Sequence, residues 1–138
     1  MKLQTEIIAL CDYATISQEG KLSINGIFDE LRVRAFPGGI ARAFLVTTVK
    51  GAPNTPYNLT LKVESAVVLE SPLKPLEINI QTSPNSKSNV LVELVNIAFV
   101  EPGNYQFTIY NQNEKVGSTN LKVFKIHQYE NQKVKKTN

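Results

Sequence analysis

Catalysis by acid–base or nucleophilic chemistry usually recruits histidine, and this chain has one, His127. No Gly-x-Ser-x-Gly motif is present to supply a nucleophilic serine. A zinc site would have to combine His127 with carboxylates alone, because the chain has a single cysteine. We therefore predict that the protein is not an enzyme and has no catalytic, cofactor-binding or metal-binding residues.

Asp12 and Asp29 are the only aspartates, and each one ends an apolar segment. If the two carboxylates approached each other, they could hold a cation or act as an acid–base pair. Each could instead cap a turn by accepting backbone N–H groups, or contact a partner. Calcium loops need several aspartates within one loop, which this sequence does not have.

Arg32 and Arg34 alternate along one segment, so both guanidinium groups project from the same face of a strand. They could form an anion-binding patch or protect an edge strand from pairing. The following turn, Phe36 to Ile40, contains two glycines but lacks the Lys-Ser/Thr pair of a phosphate-binding loop. We treat the turn as a candidate partner contact.

Positive charge is concentrated at the C-terminal end. Residues 1–124 contain 11 Lys and Arg against 11 Asp and Glu, whereas residues 125–138 contain four lysines against one glutamate. The body is therefore neutral, and the net charge of +3 lies in the tail. Such a tail is either a solvated terminus or a weak, salt-sensitive binder of polyanions. The predicted division is a domain over residues 1–127 and a polar tail over 128–138.

Taken together, the possible partner-contact residues come from the aspartate ends, the arginine pair, the turn and the tail. They are Asp12, Asp29, Arg32, Arg34, Phe36, Lys133, Lys135 and Lys136.

These residues are predicted to lie on or beside β-strands, because apolar residues recur with a period of two. Leu59, Leu61 and Val63 alternate with polar residues, and similar runs are separated by turns rich in Pro, Gly and Asn. No window has the pattern of an amphipathic helix of ten or more residues. The predicted strands are 4–14, 21–28, 30–36, 41–50, 57–69, 74–82, 89–99, 104–111 and 115–126.

A turn at Glu101-Pro102-Gly103 delivers Tyr105 into an alternating strand. This pattern is typical of the tyrosine corner of immunoglobulin-like sandwiches, in which the Tyr hydroxyl bonds to backbone a few residues upstream. We predict an all-β fold, an antiparallel immunoglobulin-like β-sandwich of about seven to nine strands. The pattern leaves the strand order open, because different sandwich topologies share the same periodicity.

Three local expectations follow from the same pattern. Gly26 interrupts a good strand and predicts a bulge or sharp bend. Residues 91–95 are apolar on both faces except for Glu93, which predicts a central strand or a register change at a bulge. Cys11 is expected to be buried. The predicted core consists of Ile7, Leu22, Ile24, Phe28, Leu45, Leu61, Val63, Ile78, Val95, Ile97, Tyr105, Phe107, Leu121 and Val123.

The N-terminal residues carry no pattern of a secretory signal, because the apolar run Ile7 to Cys11 is too short. No stretch approaches the roughly 20 apolar residues that cross a bilayer as a helix. We therefore expect a cytoplasmic protein.

Several stretches also resemble a group of small bacterial proteins of unknown function. The stretches are Leu10-Cys11-Asp12-Tyr13-Ala14, Gly20 to Asp29, Pro102 to Phe107 and Val116-Gly117-Ser118. The resemblance covers most of residues 7–126 and leaves the lysine-rich tail outside. It implies a bacterial, soluble, non-enzymatic protein and adds no site residue.

The favoured function is a noncatalytic protein-interaction or structural module with an unidentified protein partner, and a homodimer through an edge strand is one version of it. Two alternatives stay open. One is a small-ligand or glycan-binding domain, which would require the exposed tyrosines to cluster. The other is weak polyanion binding through the tail. Nucleic acid, membranes and small molecules are not the expected partners.

Overall fold

The structure is a computed structural model and describes residues 2–126. Nine strands make up most of this range. They are β1 (Gln4–Ile16), β2 (Leu22–Phe28), β3 (Glu30–Val33), β4 (Gly38–Lys50), β5 (Pro56–Glu64), β6 (Leu76–Gln81), β7 (Lys87–Phe99), β8 (Gly103–Asn111) and β9 (Glu114–Lys125). Within these residues, no helix is long and apolar enough to cross a membrane.

The strands form two sheets that pack face to face as an immunoglobulin-like β-sandwich. The four-stranded sheet has the order β2-β1-β4-β7, and the five-stranded sheet has the order β3-β9-β8-β5-β6. The predicted antiparallel sandwich is confirmed, with one exception among its pairings, because β3 runs parallel to β9. The chain passes directly from β2 into the second sheet, where the carbonyl of Asp29 accepts a 2.9 Å hydrogen bond from the Lys122 N–H. This crossover leaves β3 beside β9 and running in the same direction.

The predicted strand count is confirmed, while several strand ends differ. β3 ends at Val33 instead of residue 36, and β5 ends at Glu64 instead of residue 69. β4 begins at Gly38, earlier than predicted, because both glycines pair with β7. The largest difference therefore lies after β5, where residues predicted to continue the strand form a loop.

The tyrosine corner is present. The Tyr105 hydroxyl donates a 2.7 Å hydrogen bond to the Glu101 carbonyl, four residues upstream. Its ring meets Phe99 edge-on, with centroids 4.7 Å apart. The bond satisfies a phenol that is almost entirely buried and fixes the turn between β7 and β8.

Most of the predicted core is confirmed. Eight of the predicted residues are buried: Leu45, Leu61, Val63, Ile97, Tyr105, Phe107, Leu121 and Val123. Four more are partly buried: Leu22, Ile24, Phe28 and Ile78. The remaining two, Ile7 and Val95, are wrong, with 44% and 51% of their surface exposed.

Both errors come from local changes in the alternation of side chains. The β1–β4 register shifts between Thr5 and Ile7, so one extra residue in β1 changes which side chains face the core. In β7, Val95 follows the regular alternation, in which Val90, Val92 and Leu94 are buried, and it therefore faces outward. Asn96, which has a positive φ of 54°, then shifts the alternation. Burial resumes at Ile97, one position out of phase.

The outer end of the β1–β2 hairpin folds over the outer face of the four-stranded sheet. The Gly20 carbonyl lies 3.4 Å from Asn89 Nδ2 on β7, although β1 and β7 are separated by β4. Beneath this hairpin lies a second apolar cluster, separate from the main core. It contains Cys11, Ala14, Phe44 and Val46, with Leu22, Ile24 and Leu91 packed against them.

This covering hairpin explains two of the sequence patterns. Residues 91–95 are apolar on both faces because Leu91 packs under the hairpin. The prediction that this segment is a central strand is wrong, since β7 lies at the sheet edge, and its register with β4 is unbroken. Gly26 has φ of +70°, which agrees with the predicted bend. Its pairing with β1 keeps one register on both sides, so no bulge is inserted there.

Candidate functional site

A cleft of about 510 Å³ opens between the two sheets where β1, β3 and β4 approach each other. Its apolar lining includes Phe28, Leu31 and Ile40. Of the predicted contact residues, the cleft brings together Asp12 from β1 and Arg32 from β3. It does not include Asp29, so the hypothesis of a paired-aspartate site has no support here.

The arginines of the cleft are engaged with neighbouring groups. Arg42 Nε lies 2.6 Å from Glu93 Oε2, and Arg32 Nη2 lies 3.9 Å from Glu30 Oε1. The guanidinium groups also lie over aromatic rings, with Arg42 5.5 Å from the centroid of Phe44. Within residues 2–126, no group of three or more His, Cys, Asp or Glu side chains could hold a metal ion.

The other predicted contact residues lie apart from this cleft. Asp29 joins β2 to β3, and Arg34 is exposed just after β3. Phe36 is partly buried and packs against the main core. His127 and the tail residues Lys133, Lys135 and Lys136 lie outside the described residues.

The described tyrosines do not form one aromatic platform. Tyr13 is half-exposed and meets Phe44 edge-on at 5.7 Å on the outer side of the four-stranded sheet. Tyr57 lies elsewhere, and its hydroxyl oxygen accepts a 3.0 Å hydrogen bond from the Ala52 N–H. Tyr110 donates to Glu64 Oε1 at 2.8 Å, and this bond to a carboxylate raises the pKa of its phenol. The glycan-binding hypothesis required the exposed tyrosines to cluster, and the described tyrosines lie apart from one another.

Cys11, the one cysteine, is fully buried under the β1–β2 hairpin. Burial in the apolar cluster is the main cause that raises the pKa of its thiol, and the charge of Asp12 acts in the same direction. A thiolate is the reactive form of cysteine, so this environment makes Cys11 a structural residue.

The loop after β5, residues 65–72, is held in place by its own hydrogen bonds. The Ser65 hydroxyl oxygen accepts bonds from the N–H groups of Val67 at 3.3 Å and Val68 at 3.2 Å. The Ser71 hydroxyl lies 2.8 Å from the Val63 carbonyl and 2.7 Å from the Leu73 carbonyl, and it can donate to either. The Ser65 bonds hold the first turn of the 65–72 loop, and the Ser71 bond to Val63 ties its other end to β5.

Val68 anchors the middle of the 65–72 loop. Its side chain is 5% exposed and belongs to the main core. The side chains on either side of it face the solvent, with Val67 84% exposed and Leu69 102% exposed. A cavity of about 270 Å³ adjoins Leu69 and reaches the ring of Tyr105. The loop therefore presents two apolar side chains at full exposure from a fixed base.

Sequence reasoning missed this surface because it continued β5 to residue 69. In a strand, Val67 and Leu69 would share one face and pack against a neighbouring element. The signal that could have separated the loop from the strand is Ser65-Ala66, two residues of low strand propensity that follow the alternating run.

Comparison with protein families gives one match. The model of a family of unknown function, DUF6941, matches residues 6–124. No curated protein matches the chain in sequence.

Several solved structures are similar to this chain at low sequence identity. A β-glucosidase from Listeria innocua is 12% identical, with a TM-score of 0.51, and the match covers 89% of this chain and 16% of that chain. A GH3 β-glucosidase from Bifidobacterium adolescentis is 10% identical, with a TM-score of 0.50 and coverage of 88% and 17%. An immunoglobulin-like protein from Pseudomonas aeruginosa is 8% identical, with a TM-score of 0.42 and coverage of 89% and 97%. The present chain thus spans about a sixth of the length of the glucosidases, and the likeness concerns the fold alone.

Proposed function

The chain belongs to the DUF6941 family of unknown function, and we propose that it is a noncatalytic module that binds another protein through the 65–72 loop. The observation that carries the proposal is the full exposure of Val67 and Leu69 on a loop whose central residue, Val68, is buried. Large apolar side chains held in water at the tip of a rigid loop are typical of binding surfaces.

The magnitude of the apolar contribution supports this use of the loop. Burying a Val or Leu side chain contributes about 1.5–3 kcal/mol. Transfer of both Val67 and Leu69 into a partner pocket would therefore contribute roughly 3–6 kcal/mol of binding free energy. The hydrogen bonds of Ser65 and Ser71 restrain the loop backbone, which lowers the conformational entropy that binding would cost.

The noncatalytic part of the proposal is supported by the state of the reactive groups. Arg42, which lines the cleft, forms an ion pair with Glu93. The Cys11 thiol is buried with a raised pKa, which opposes formation of the nucleophilic thiolate.

The test is capture of partners on the immobilised full chain, compared with the double variant Val67→Ser/Leu69→Ser. The matched control is Ile27→Ser, which removes an apolar side chain that is 65% exposed on β2, away from the loop. We expect proteins captured by the wild type and by the control to be lost from the double variant, with at least about 100-fold weaker affinity for the isolated partner.

Two results would overturn the proposal. One is capture of the same proteins at equal affinity by the double variant. The other is capture of no protein by the wild-type chain under conditions in which it is folded by circular dichroism.

A second candidate function, binding of a small ligand, is favoured by the cleft that contains Asp12. Its volume of about 510 Å³ and its apolar lining with charged groups fit the usual character of ligand sites. A fluorescence screen of small charged compounds against the wild type and Asp12→Asn tests it. A compound that binds the wild type and loses affinity for the variant would support this candidate, and an empty screen would count against it.

We further propose that the protein works in the cytoplasm. Its one cysteine is free and buried, and the described fold uses no disulfide. Fractionation of the source cells, followed by immunoblotting of the soluble cytoplasmic fraction, tests this placement.

A further inference from the structure

The two sheets have four edge strands, β2 and β7 in one and β3 and β6 in the other. Three of them carry features that discourage pairing with another chain. β3 has only four residues, including Arg32, and β6 has six residues and follows Pro75. β2 is bent at Gly26, which has a positive φ. Short length, charge, proline and bends are the devices that protect sheet edges.

β7 lacks most of these devices. It is 13 residues long, contains neither proline nor glycine, and carries only two charged residues, Lys87 and Glu93. Within the described residues, β4 is the only strand that pairs with it. The segment from Ser88 to Leu94 precedes the positive φ of Asn96 and keeps a regular register with β4. Its outer edge therefore offers a row of unpaired backbone N–H and C=O groups to an extended strand.

We propose that this strand is β7 of a second copy of the chain, paired antiparallel about a two-fold axis at Val90. The two four-stranded sheets then join into one sheet of eight strands. The occupant is inferred from the charge pattern, because Lys87 and Glu93 lie three residues on either side of Val90. In this register each Lys87 faces Glu93 of the other copy, and the two-fold axis creates the contact twice.

The alternation of β7 places both charges on the same face of the joined sheet, since residues 87 and 93 are an even number of positions apart. Opposite charges directly across an antiparallel pair are stabilising, and like charges are destabilising. Two-fold registers centred on Lys87 or Glu93 would set like charges against each other. The Val90 register avoids this and pairs Val90 with its own copy.

Each charge already has a partner in its own chain. Lys87 Nζ lies 2.9 Å from Glu6 Oε1, and Glu93 Oε2 lies 2.6 Å from Arg42 Nε. These pairs hold the two side chains in place while leaving them about half exposed, so each can face a charge across the interface as well. This surface is separate from the 65–72 loop, and the inference does not depend on the proposed protein binding there.

Sedimentation of the full chain over a range of concentrations tests the proposal. We expect the mass to rise from 15.4 kDa toward twice this value with concentration. The single variants Lys87→Glu and Glu93→Lys should each weaken self-association at least about tenfold, because like charges then face each other twice.

Mixing the two single variants provides the decisive control. A mixed dimer has one copy with two acidic residues at these positions and one with two basic residues, so both contacts are again between opposite charges. The mixture should associate within about twofold of the wild type, although neither variant does so alone. The loop variant Val67→Ser/Leu69→Ser should dimerise normally, which separates this inference from the proposed function.

A mass of one chain at every concentration would overturn the proposal. Self-association that is unchanged by both charge reversals would exclude this register. So would a mixture that fails to restore association while both variants remain folded by circular dichroism.

Discussion

The carboxyl group of Asp12 occupies the space that a side chain at position 26 would need. A Cβ built on Gly26 would lie 2.5 Å from Asp12 Oδ2 and 2.9 Å from its Cγ. The two residues face each other across β1 and β2, at the point where the hairpin bends over the sheet. The bend therefore depends on glycine for two reasons, the positive φ of +70° and the absence of a side chain.

This relationship predicts a difference between two glycine substitutions. Gly26→Ala should lower the free energy of unfolding by about 1 kcal/mol more than Gly20→Ala. Gly20 also has a positive φ, of +84°, but a Cβ there would meet nothing within 4 Å. Urea unfolding of the two variants measures the difference. Equal losses of unfolding free energy in the two variants would show that the Asp12 side chain moves aside without a cost in free energy.

The tyrosine corner gives a second prediction. Tyr105→Phe removes the hydrogen bond to the Glu101 carbonyl and should destabilise the fold by about 1–2 kcal/mol, measured by urea unfolding at neutral pH. An unchanged midpoint would mean that water satisfies Glu101 equally well.

The same residue predicts a change of stability at alkaline pH. Burial is the largest cause that raises the pKa of Tyr105 above its ordinary value of 10.0, and the charge of Glu101 adds to it. The unfolded chain then loses the phenolic proton at lower pH than the folded chain. This contribution to stability is complete below the unfolded pKa and is lost as pH rises through the folded pKa. Tyr105→Phe should therefore lose less stability than the wild type as pH rises above 10.

The hairpin that covers Cys11 predicts slow thiol chemistry. In the folded wild type, Cys11 should react with a thiol reagent only through opening of the hairpin, and far more slowly than in urea. Ile24→Ala weakens the cluster above Cys11 and should increase the rate at least about fivefold. Asn25→Ala, at an exposed neighbouring position, is the control and should react like the wild type. Rapid labelling of the folded wild type would contradict the described packing.

The 65–72 loop predicts opposite behaviour of adjacent valines. Val68→Ala removes a buried anchor and should cost about 1–2 kcal/mol of unfolding free energy. Val67→Ala removes exposed surface and should change it by less than about 0.5 kcal/mol. Thermal or urea unfolding of the two variants measures this difference. A strand that continued through residue 69 would not give a large loss at Val68 together with almost none at Val67.

Some of this could be predicted because the physical cause is local. The alternation of Leu59, Leu61 and Val63 requires only that one face of a strand is dry, and all three are buried. The spacing of Gly103 and Tyr105 sets a corner whose hydrogen bond spans only four residues. By contrast, Val95 and Ile97 face opposite ways because the alternation shifts at Asn96, whose left-handed conformation the pattern of apolar residues does not reveal.

The candidate surfaces were less accessible to sequence reasoning. Arg32 and Asp12 were both predicted as contact residues, but their meeting in one cleft depends on the packing of β3 beside β1 and β4. The exposure of Val67 and Leu69 could not be predicted, because apolar residues with a period of two occur both in a paired strand and in a segment that leaves the sheet. The importance of the long edge of β7 depends on strand order, which periodicity does not contain.

The class of fold, the number of strands, the tyrosine corner and most of the core follow from the amino-acid sequence alone, since these depend on alternation and turn chemistry within short segments. Three features emerge only when the sheets pack: the β1–β2 hairpin covers Cys11, β3 pairs parallel to β9, and β7 lies at an edge. Each of these depends on contacts between residues far apart in the chain, such as Gly20 with Asn89. The free energy of such contacts comes from surfaces that meet only after the sheets have packed.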